Sequence, residues 1–105
     1  MKAIDVTDEN ISAILSSKKK LLLDVSAAWC GPCKMMSPVV ELIANEVDGK
    51  SIIGKLDIDS NPNTAARFGI RNFPTFLFLK DGKLIDRVIG AVPKSLLDEK
   101  IKSLL

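Results

Sequence analysis

Two cysteines, separated by two residues, are the side chains in this sequence best suited to covalent chemistry. They stand in the run Trp29-Cys30-Gly31-Pro32-Cys33, and the chain has no other cysteine and no histidine. A cysteine thiolate can act as a nucleophile or a metal ligand, and two cysteines can form a disulfide. Four interpretations therefore compete: a zinc site, a structural disulfide, two ordinary core thiols, and a redox pair.

The composition disfavours the first three interpretations. A structural zinc site needs four ligands, normally cysteine or histidine, and one cysteine pair supplies only half of them. A disulfide that closes a loop of about four residues adds only about 2 kcal/mol in the chain-entropy model. A chain of 105 residues, 47% of them hydrophobic, can bury a core without that bond. Gly-Pro is also poor filler for a buried segment that carries ordinary thiols.

Redox catalysis is the interpretation that the local pattern favours. Residues 21–27 predict a buried strand and a helical pattern begins near Pro32, so Cys30 lies between a strand and a helix. The unpaired N–H groups and the dipole of a helix N-terminus stabilise a thiolate. We therefore expect Cys30 to be the exposed nucleophile and Cys33, one turn further on, to resolve the mixed disulfide. Pro32 stiffens the turn, and Gly31 lets a substrate backbone come close.

The first half of the chain predicts the elements that position this pair. Thr7 is the expected N-cap of a first helix, and the basic run at residues 18–20 falls where that helix should end. The helix that begins near residue 32 has an apolar face and should end at Asp48-Gly49. Pro38 lies inside this helix and should kink it.

The second half of the chain predicts three further strands and two helices. Residues 51–58 are a second apolar strand, and Asn61 followed by Pro62 starts a short helix. Strands at residues 75–79 and 84–89 should form a hairpin, because Asp-Gly lies between them. A last helix follows from Pro93. This order predicts an α/β fold with a mixed sheet covered by helices on both faces, in a single domain spanning residues 1–105.

Charge and hydropathy disfavour several classes of partner. The formal net charge of +2 is too small to indicate nucleic acid or a membrane surface as a partner. No apolar stretch approaches the roughly 20 residues that cross a bilayer. Asp5, Asp8 and Glu9 stand where the apolar core of a signal peptide would lie. We therefore expect no nucleic-acid partner, no membrane partner and a cytoplasmic location.

The sequence resembles the thioredoxin family over essentially its whole length. The run from Trp29 to Lys34 matches the active-site run of that family. Other matches, in chain order, are Asp24, Pro38, Lys55, Ile70-Arg71-Asn72-Phe73-Pro74-Thr75 and Gly90-Ala91. The resemblance implies the thioredoxin fold, a mixed sheet of four to five strands flanked by four helices.

The resemblance also implies a function, that of a general protein disulfide reductase. The redox centre would be the Cys30-Cys33 disulfide itself, with no bound cofactor and no metal. A thioredoxin reductase, which is an NADPH-dependent flavoprotein, would reduce this disulfide again. Disulfide-containing proteins would be the substrates, and we expect the protein to act as a monomer.

Two charged residues acquire expected roles from the resemblance. Asp24 resembles the buried carboxylate that handles the proton of Cys33, and burial on an apolar strand should raise its pKa. Lys55 resembles the cationic partner of that carboxylate, which should partly oppose the rise. The alternatives are that Asp24 is a structural acid satisfied by its neighbours and that Lys55 is a solvated strand residue.

A substrate-binding surface is also implied around Cys30. Pro74 resembles the family's cis-proline, which faces the disulfide, and the backbone of Phe73 and Thr75 would pair with an extended substrate. A shallow apolar patch would complete this surface, formed by Trp29, Pro32, Ile58, Phe73, Gly90 and Ala91. Core packing is the alternative role for Trp29 and Phe73.

Two positions depart from the family pattern. Ser26 stands where the family usually has a large aromatic residue, and Phe73 replaces the commoner small aliphatic residue before the proline. We expect these departures to affect the packing beneath the site and the substrate groove rather than the class of reaction.

Two other functions use the same residues. A disulfide oxidase or isomerase would need an oxidising compartment, and Gly-Pro without histidine between the cysteines disfavours it. A binding or chaperone-like module would use the apolar patch without redox turnover.

Overall fold

Within residues 2–47 and 49–105, which the computed structural model describes, five strands form one mixed sheet and four helices flank it. The strands are β1 (Ile4–Asp5), β2 (Lys20–Ser26), β3 (Ser51–Asp57), β4 (Thr75–Lys80) and β5 (Lys83–Ile89). The helices are α1 (Ile11–Ser16), α2 (Gly31–Glu46), α3 (Pro62–Arg67) and α4 (Lys94–Leu104). These elements confirm the predicted α/β fold class.

The strand order β1-β3-β2-β4-β5 places β2 in the centre of the sheet. Strands β1 and β2 run parallel to β3, whereas β2 with β4 and β4 with β5 are antiparallel pairs. Because β2 has a strand on either side and a helical layer above and below, its interior residues are all buried. The active-site segment follows directly from this central strand.

Successive side chains of a strand point to opposite faces of the sheet, so the apolar core has two parts, one on each face. On one face, Leu22 belongs to the cluster that contains the apolar side of α2 and Leu97 of α4. On the other face, Leu21 and Leu23 belong to the cluster that contains Ile11 of α1. Asp24 is two residues after Leu22 in the same strand, so it lies on the same face of the sheet, which α2 covers.

The start of the chain differs from the prediction in three details. The short strand β1 was not predicted, because two exposed residues carry no periodic signal. Thr7 is not the N-cap of α1, which begins at Ile11 after Asn10. Instead, Thr7 and Asn10 close the preceding turn: each side-chain oxygen accepts the other residue's backbone N–H, at 3.1 and 2.7 Å. The basic run follows α1 rather than forming its last turn, and Lys20 already belongs to β2.

The turn between β4 and β5 agrees with the prediction. The hairpin between β4 and β5 turns at Asp81 and Gly82, whose φ angles of 54° and 77° suit a two-residue turn of the primed type. Helix α2 continues through Pro38 and ends at Glu46. The predicted stop at Asp48-Gly49 falls partly on residue 48, which lies outside the described residues.

Helix α3 is capped by a distant residue. Asn61 precedes the helix, as predicted, but its side chain does not cap it. Instead, the carboxylate of Asp8 accepts the backbone N–H groups of Asn63 and Thr64 at 3.1 and 2.8 Å. The Thr64 hydroxyl also donates to Asp8 at 2.6 Å, and this bond is the main reason why the pKa of Asp8 is lowered. No helix of the described ranges is both long and apolar enough to cross a membrane.

A glycine in β3 allows the N-terminal segment to pack against the sheet. A Cβ atom on Gly54 would lie 2.5 Å from Cγ2 of Val6 and 3.3 Å from Cδ1 of Leu23. We predict that Gly54→Ala lowers the free energy of unfolding by about 1–3 kcal/mol, because the added methyl overpacks a buried site. Denaturant unfolding measures this change. Gly31→Ala is the control, since its Cβ would meet no atom within 4 Å; equal midpoints for the two variants would contradict the packing argument.

Candidate active site

The two cysteines lie at the junction between β2 and α2. Cys30 is the N-cap residue of α2, with φ −93° and ψ 114°, and its sulfur accepts the backbone N–H of Cys33 at 3.2 Å. The two residues are joined by a disulfide, with their Cα atoms 5.2 Å apart. When the disulfide is reduced, this N–H can form a charge-assisted hydrogen bond with a thiolate at Cys30. The helix N-terminus therefore favours negative charge on the first cysteine.

Exposure does not distinguish the two cysteines as expected. Cys30 is 6% exposed and Cys33 is 5% exposed, so the prediction of an exposed Cys30 is wrong for the disulfide form. The physical reason is that Ala27, Ile58 and Phe73 pack around the pair. What distinguishes the cysteines is hydrogen bonding, because the Cys30 sulfur accepts the backbone N–H of Cys33 at 3.2 Å. The Phe73 carbonyl oxygen lies 3.5 Å from the same sulfur.

Two aromatic side chains flank the cysteines. The rings of Trp29 and Phe73 meet edge to face, with centroids 5.8 Å apart. Trp29 is 66% exposed, and its indole N–H donates to Asp59 Oδ1 at 3.4 Å. Core packing therefore does not account for Trp29, whereas Phe73 is half-buried against the disulfide. The N–H of Ile58 donates to the Ser26 carbonyl at 3.0 Å and places this side chain at the end of β2.

The loop before β4 brings backbone groups to the cysteines. The Phe73-Pro74 peptide bond is cis. The Pro74 carbonyl accepts the N–H of Gly90 at 2.8 Å, which joins this loop to the segment after β5, where Ala91 is exposed. Thr75 is 2% exposed, pairs in register with strands on both sides, and donates its hydroxyl to the Asn72 carbonyl at 2.6 Å.

Asp24 is a buried carboxyl in the middle of β2. It is 1% exposed, and among the described residues its Oδ1 atom has no hydrogen-bond partner. Burial raises the pKa of Asp24 to about 6, and the positive charge of Lys55 opposes the rise. A satisfied structural acid would not leave an oxygen unpaired. This carboxyl can therefore gain or lose a proton near neutral pH.

Lys55 lies directly across from Asp24 in the parallel pair of β2 and β3. Its ammonium donates to the Ser37 hydroxyl at 2.6 Å and lies 3.4 Å from Glu41 Oε2. The side chain is 25% exposed, so it is held against α2 rather than solvated freely. Ser37 and Glu41 were missed by the sequence reasoning. The signal that could have found them is their spacing, since Cys33, Ser37 and Glu41 follow one another at intervals of four residues on a helix.

A shallow cleft of about 240 Å³ lies between Cys33 on α2 and Lys55 on β3. Cys33 and Lys55 both line it, and Ser26, which replaces the family's usual aromatic residue, forms part of its wall. Its remaining lining residues are Ala27, Ala28, Lys34, Ser37 and Asp57. The cleft therefore brings the second cysteine and the lysine opposite Asp24 to one solvent-accessible region. In the part of the chain that the structure describes, no three acidic, cysteine or histidine side chains form a group suited to a metal ion.

Comparison with known proteins agrees with this geometry. A family model described as Thioredoxin matches residues 2–103. The chain belongs to the thioredoxin family. It is 50% identical to Thioredoxin 2 of Chlorobaculum tepidum over 101 residues, 95% of this chain and 93% of that protein. It is 48% identical to a thioredoxin of Chlorobaculum thiosulfatiphilum, over 95% and 94% of the two chains, and to one of Staphylococcus haemolyticus, over 94% of each.

Membership of this family, together with the cysteine pair, makes the protein a thiol–disulfide oxidoreductase. The resemblance found in the sequence is thereby confirmed. The redox centre is the Cys30-Cys33 disulfide of the chain itself.

The buried carboxyl of this thioredoxin-family protein should make its stability depend on pH. The pKa of Asp24 is about 6 in the folded protein and about 3.9 in an unfolded chain. Ionised Asp24 therefore destabilises the fold above pH 6, by about 3 kcal/mol, and this cost disappears as the pH falls through 6 towards 4. We predict that the stability of oxidised Asp24→Asn, relative to wild type, increases by about 2 kcal/mol between pH 4 and pH 8, because Asp24 is already about half ionised in the unfolded chain at pH 4.

Denaturant unfolding at the two pH values measures this difference. Asp81→Asn, in the exposed hairpin turn, is the control and should keep the wild-type dependence on pH. Parallel stability curves for wild type and Asp24→Asn would contradict the assignment of the raised pKa.

Proposed function

We propose that this protein is a general protein disulfide reductase and that an NADPH-dependent flavoprotein reductase returns it to the dithiol form. The hydrogen bond from the Cys33 N–H to the Cys30 sulfur carries the proposal, because it makes the two cysteines chemically unequal. A reductase of this kind needs one cysteine that attacks a foreign disulfide and one that releases the product.

The reaction begins with the thiolate of Cys30. It attacks one sulfur of the substrate disulfide, forms a mixed disulfide and releases the other substrate sulfur as a thiolate. The Cys33 thiol then loses its proton, and its thiolate attacks the Cys30 sulfur. The mixed disulfide breaks, the second substrate thiolate leaves, and the Cys30-Cys33 disulfide forms. Two electrons pass to the substrate, and the flavoprotein reductase supplies two electrons to reverse the change.

Asp24 is the proposed acceptor of the Cys33 proton. Its unpaired oxygen and its pKa of about 6 suit a base that works near neutral pH. It faces α2 from the centre of the sheet, and Lys55, its neighbour on β3, shares a cleft with Cys33. We propose that Lys55 tunes Asp24, because its positive charge favours the ionised carboxylate.

The surface around Cys30 is proposed to bind the substrate as an extended segment. The Phe73 carbonyl, 3.5 Å from the Cys30 sulfur, marks the backbone edge where the substrate would pair. The backbone of Thr75 would pair there as well, and its buried side chain, which donates to the Asn72 carbonyl, would fix this loop. The rest of the surface offers flat, largely apolar contact that suits many sequences. Its proposed members are Trp29, Gly31, Pro32, Ile58, Phe73, Pro74, Gly90 and Ala91.

The setting of this activity follows from its chemistry. A reductase that draws electrons from NADPH works where thiols are kept reduced, so we propose a cytoplasmic location. We also propose that the protein acts as a monomer on protein disulfides, without a nucleic-acid or membrane partner.

The direction of attack can be tested by trapping the intermediate. We predict that reduced Cys33→Ser accumulates a mixed disulfide with protein substrates through Cys30, because the serine cannot resolve it. Non-reducing electrophoresis and peptide mass spectrometry identify the linked residue. Cys30→Ser is the matched variant and should trap far less substrate. Preferential trapping through Cys33 would reverse the assignment of nucleophile and resolving residue.

The electron source is tested by reconstitution. A thioredoxin reductase should oxidise NADPH continuously, beyond the one equivalent that reduces the Cys30-Cys33 disulfide, only when this protein and a protein disulfide are both present. Cys30→Ser should abolish that coupling. If intact wild-type protein fails to couple NADPH oxidation to reduction of the protein disulfide, the proposed pathway is wrong. A strongly oxidising equilibrium with glutathione would overturn the assignment as a reductase and favour an oxidase.

A further inference from the structure

The ammonium of Lys55 is held by α2, although the backbone of Lys55 is in register with Asp24 on the neighbouring strand. Ser37 Oγ is 2.6 Å from the ammonium, and Glu41 Oε2 is 3.4 Å from it. Asp24 forms no salt bridge with it among the described residues, and one oxygen of that carboxyl is unpaired. The lysine therefore influences Asp24 through its electric field rather than through a direct ion pair.

The two acceptors lie at different positions along α2. Ser37 is one helical turn beyond Cys33, and Glu41 is one turn further. Ser37 and Cys33 both line the cleft, whereas Glu41 accepts the backbone N–H of Ala3 at 3.2 Å through its other carboxylate oxygen. The hydroxyl therefore holds the ammonium towards the cysteines, and the carboxylate draws it towards the opposite end of the helix.

The other charged or titratable groups near Asp24 and Lys55 lie on α2, β3 and β1. Strand β4 places Phe76, which is uncharged, beside Asp24. The groups to be considered are Cys33, Lys34 and Glu41 on α2, Asp57 on β3, and Asp5 on β1, which is in register with Lys55 but exposed. Among the charged groups near this centre, it is Lys55 whose positive charge lowers the pKa of Asp24, against the larger effect of burial.

We propose that Ser37 and Glu41 are opposed positioning residues, which together set where the Lys55 ammonium lies relative to Asp24 and Cys33. The proposal deepens the proton-transfer role proposed above, and it rests on that role only for its effect on turnover. Within the described residues, neither side chain forms a hydrogen bond with the sulfur of Cys30 or Cys33.

The two residues should act on Asp24 in opposite directions. Without the Ser37 hydroxyl, the ammonium keeps Glu41 as its acceptor on α2 and moves away from the cysteines, so its field at Asp24 weakens. Without the Glu41 charge, the ammonium is free to approach Asp24, and its stronger field there favours the ionised carboxylate. Ser37→Ala should therefore raise the pKa of Asp24 and Glu41→Gln should lower it, each by about 0.5 pH unit.

The experiment follows the side-chain carboxyl carbon of Asp24 by NMR while the oxidised protein is titrated from pH 4 to pH 9. The variants are Ser37→Ala, Ser37→Thr and Glu41→Gln. Ser37→Thr keeps a hydroxyl and should retain the wild-type midpoint. Glu46→Gln is the control on the same helix, because Glu46 pairs with Lys94 instead, and it should not move the midpoint.

A second set of variants tests whether the effect passes through the lysine. In a Lys55→Met background, Ser37→Ala should no longer shift the Asp24 midpoint. The proposal is overturned if the two single variants shift the midpoint in the same direction, if neither shifts it, or if the Ser37→Ala shift persists without Lys55.

These titrations involve no substrate, so they separate this proposal from the proposed mechanism. If the midpoints move in opposite directions and the pH dependence of disulfide reduction moves with them, both are supported. If the midpoints move but the rate profile does not, the positioning role stands and the role of Asp24 in turnover is wrong.

Discussion

The hydrogen bond between the Cys33 N–H and the Cys30 sulfur exists because only four residues separate the end of the central strand from the start of a helix. Cys30 occupies the N-cap position, where its sulfur takes the place that an oxygen usually has in capping a helix. The direction of α2 is fixed by the apolar face that it packs against the sheet, and the end of β2 is fixed by pairing on both sides. The inequality of the two cysteines is therefore a consequence of how the core is built.

The same central strand carries a residue that opposes stability. Asp24 occupies a position surrounded by Leu22, Phe76 and other apolar core residues, where a hydrophobic side chain would be less costly. Its unpaired oxygen and its raised pKa have the same cause, which is that the carboxyl is buried away from water. Proteins tolerate such sites where function depends on them. The ammonium held by Ser37 limits the cost without neutralising the carboxyl in a direct pair.

The sequence contained enough to predict the sheet, the hairpin and the redox pair. Apolar runs identified β2 and β3, and the Asp81-Gly82 pair identified the only kind of short connection that requires left-handed backbone at both positions. Local patterns failed where a partner is distant along the chain. The cap on α3 comes from Asp8, and β1 is defined only by its pairing with β3. At Thr7 the prediction failed for a local reason, because its side chain bonds to Asn10 in the turn that precedes α1.

The candidate site shows the same division. The burial of Asp24 followed from its apolar neighbours in the sequence. The absence of a partner for its Oδ1 atom among the described residues depends on how α2, β3 and β4 pack around it. The hydrogen bond from Lys55 to Ser37 depends on which face of α2 packs against β3, and no local sequence pattern specifies that face. The exposure of Cys30 was predicted wrongly, because Phe73, which packs against the disulfide, comes from a loop more than 40 residues further along the chain.

The inequality of the cysteines can be measured directly by alkylating the reduced protein over a range of pH and locating the modified residue by peptide mass spectrometry. The account predicts that Cys30 reacts first, with a half-maximal rate at a pH below the value of about 8.5 that is typical of a free cysteine. Preferential reaction at Cys33, or a half-maximal rate at Cys30 at or above that value, would contradict it.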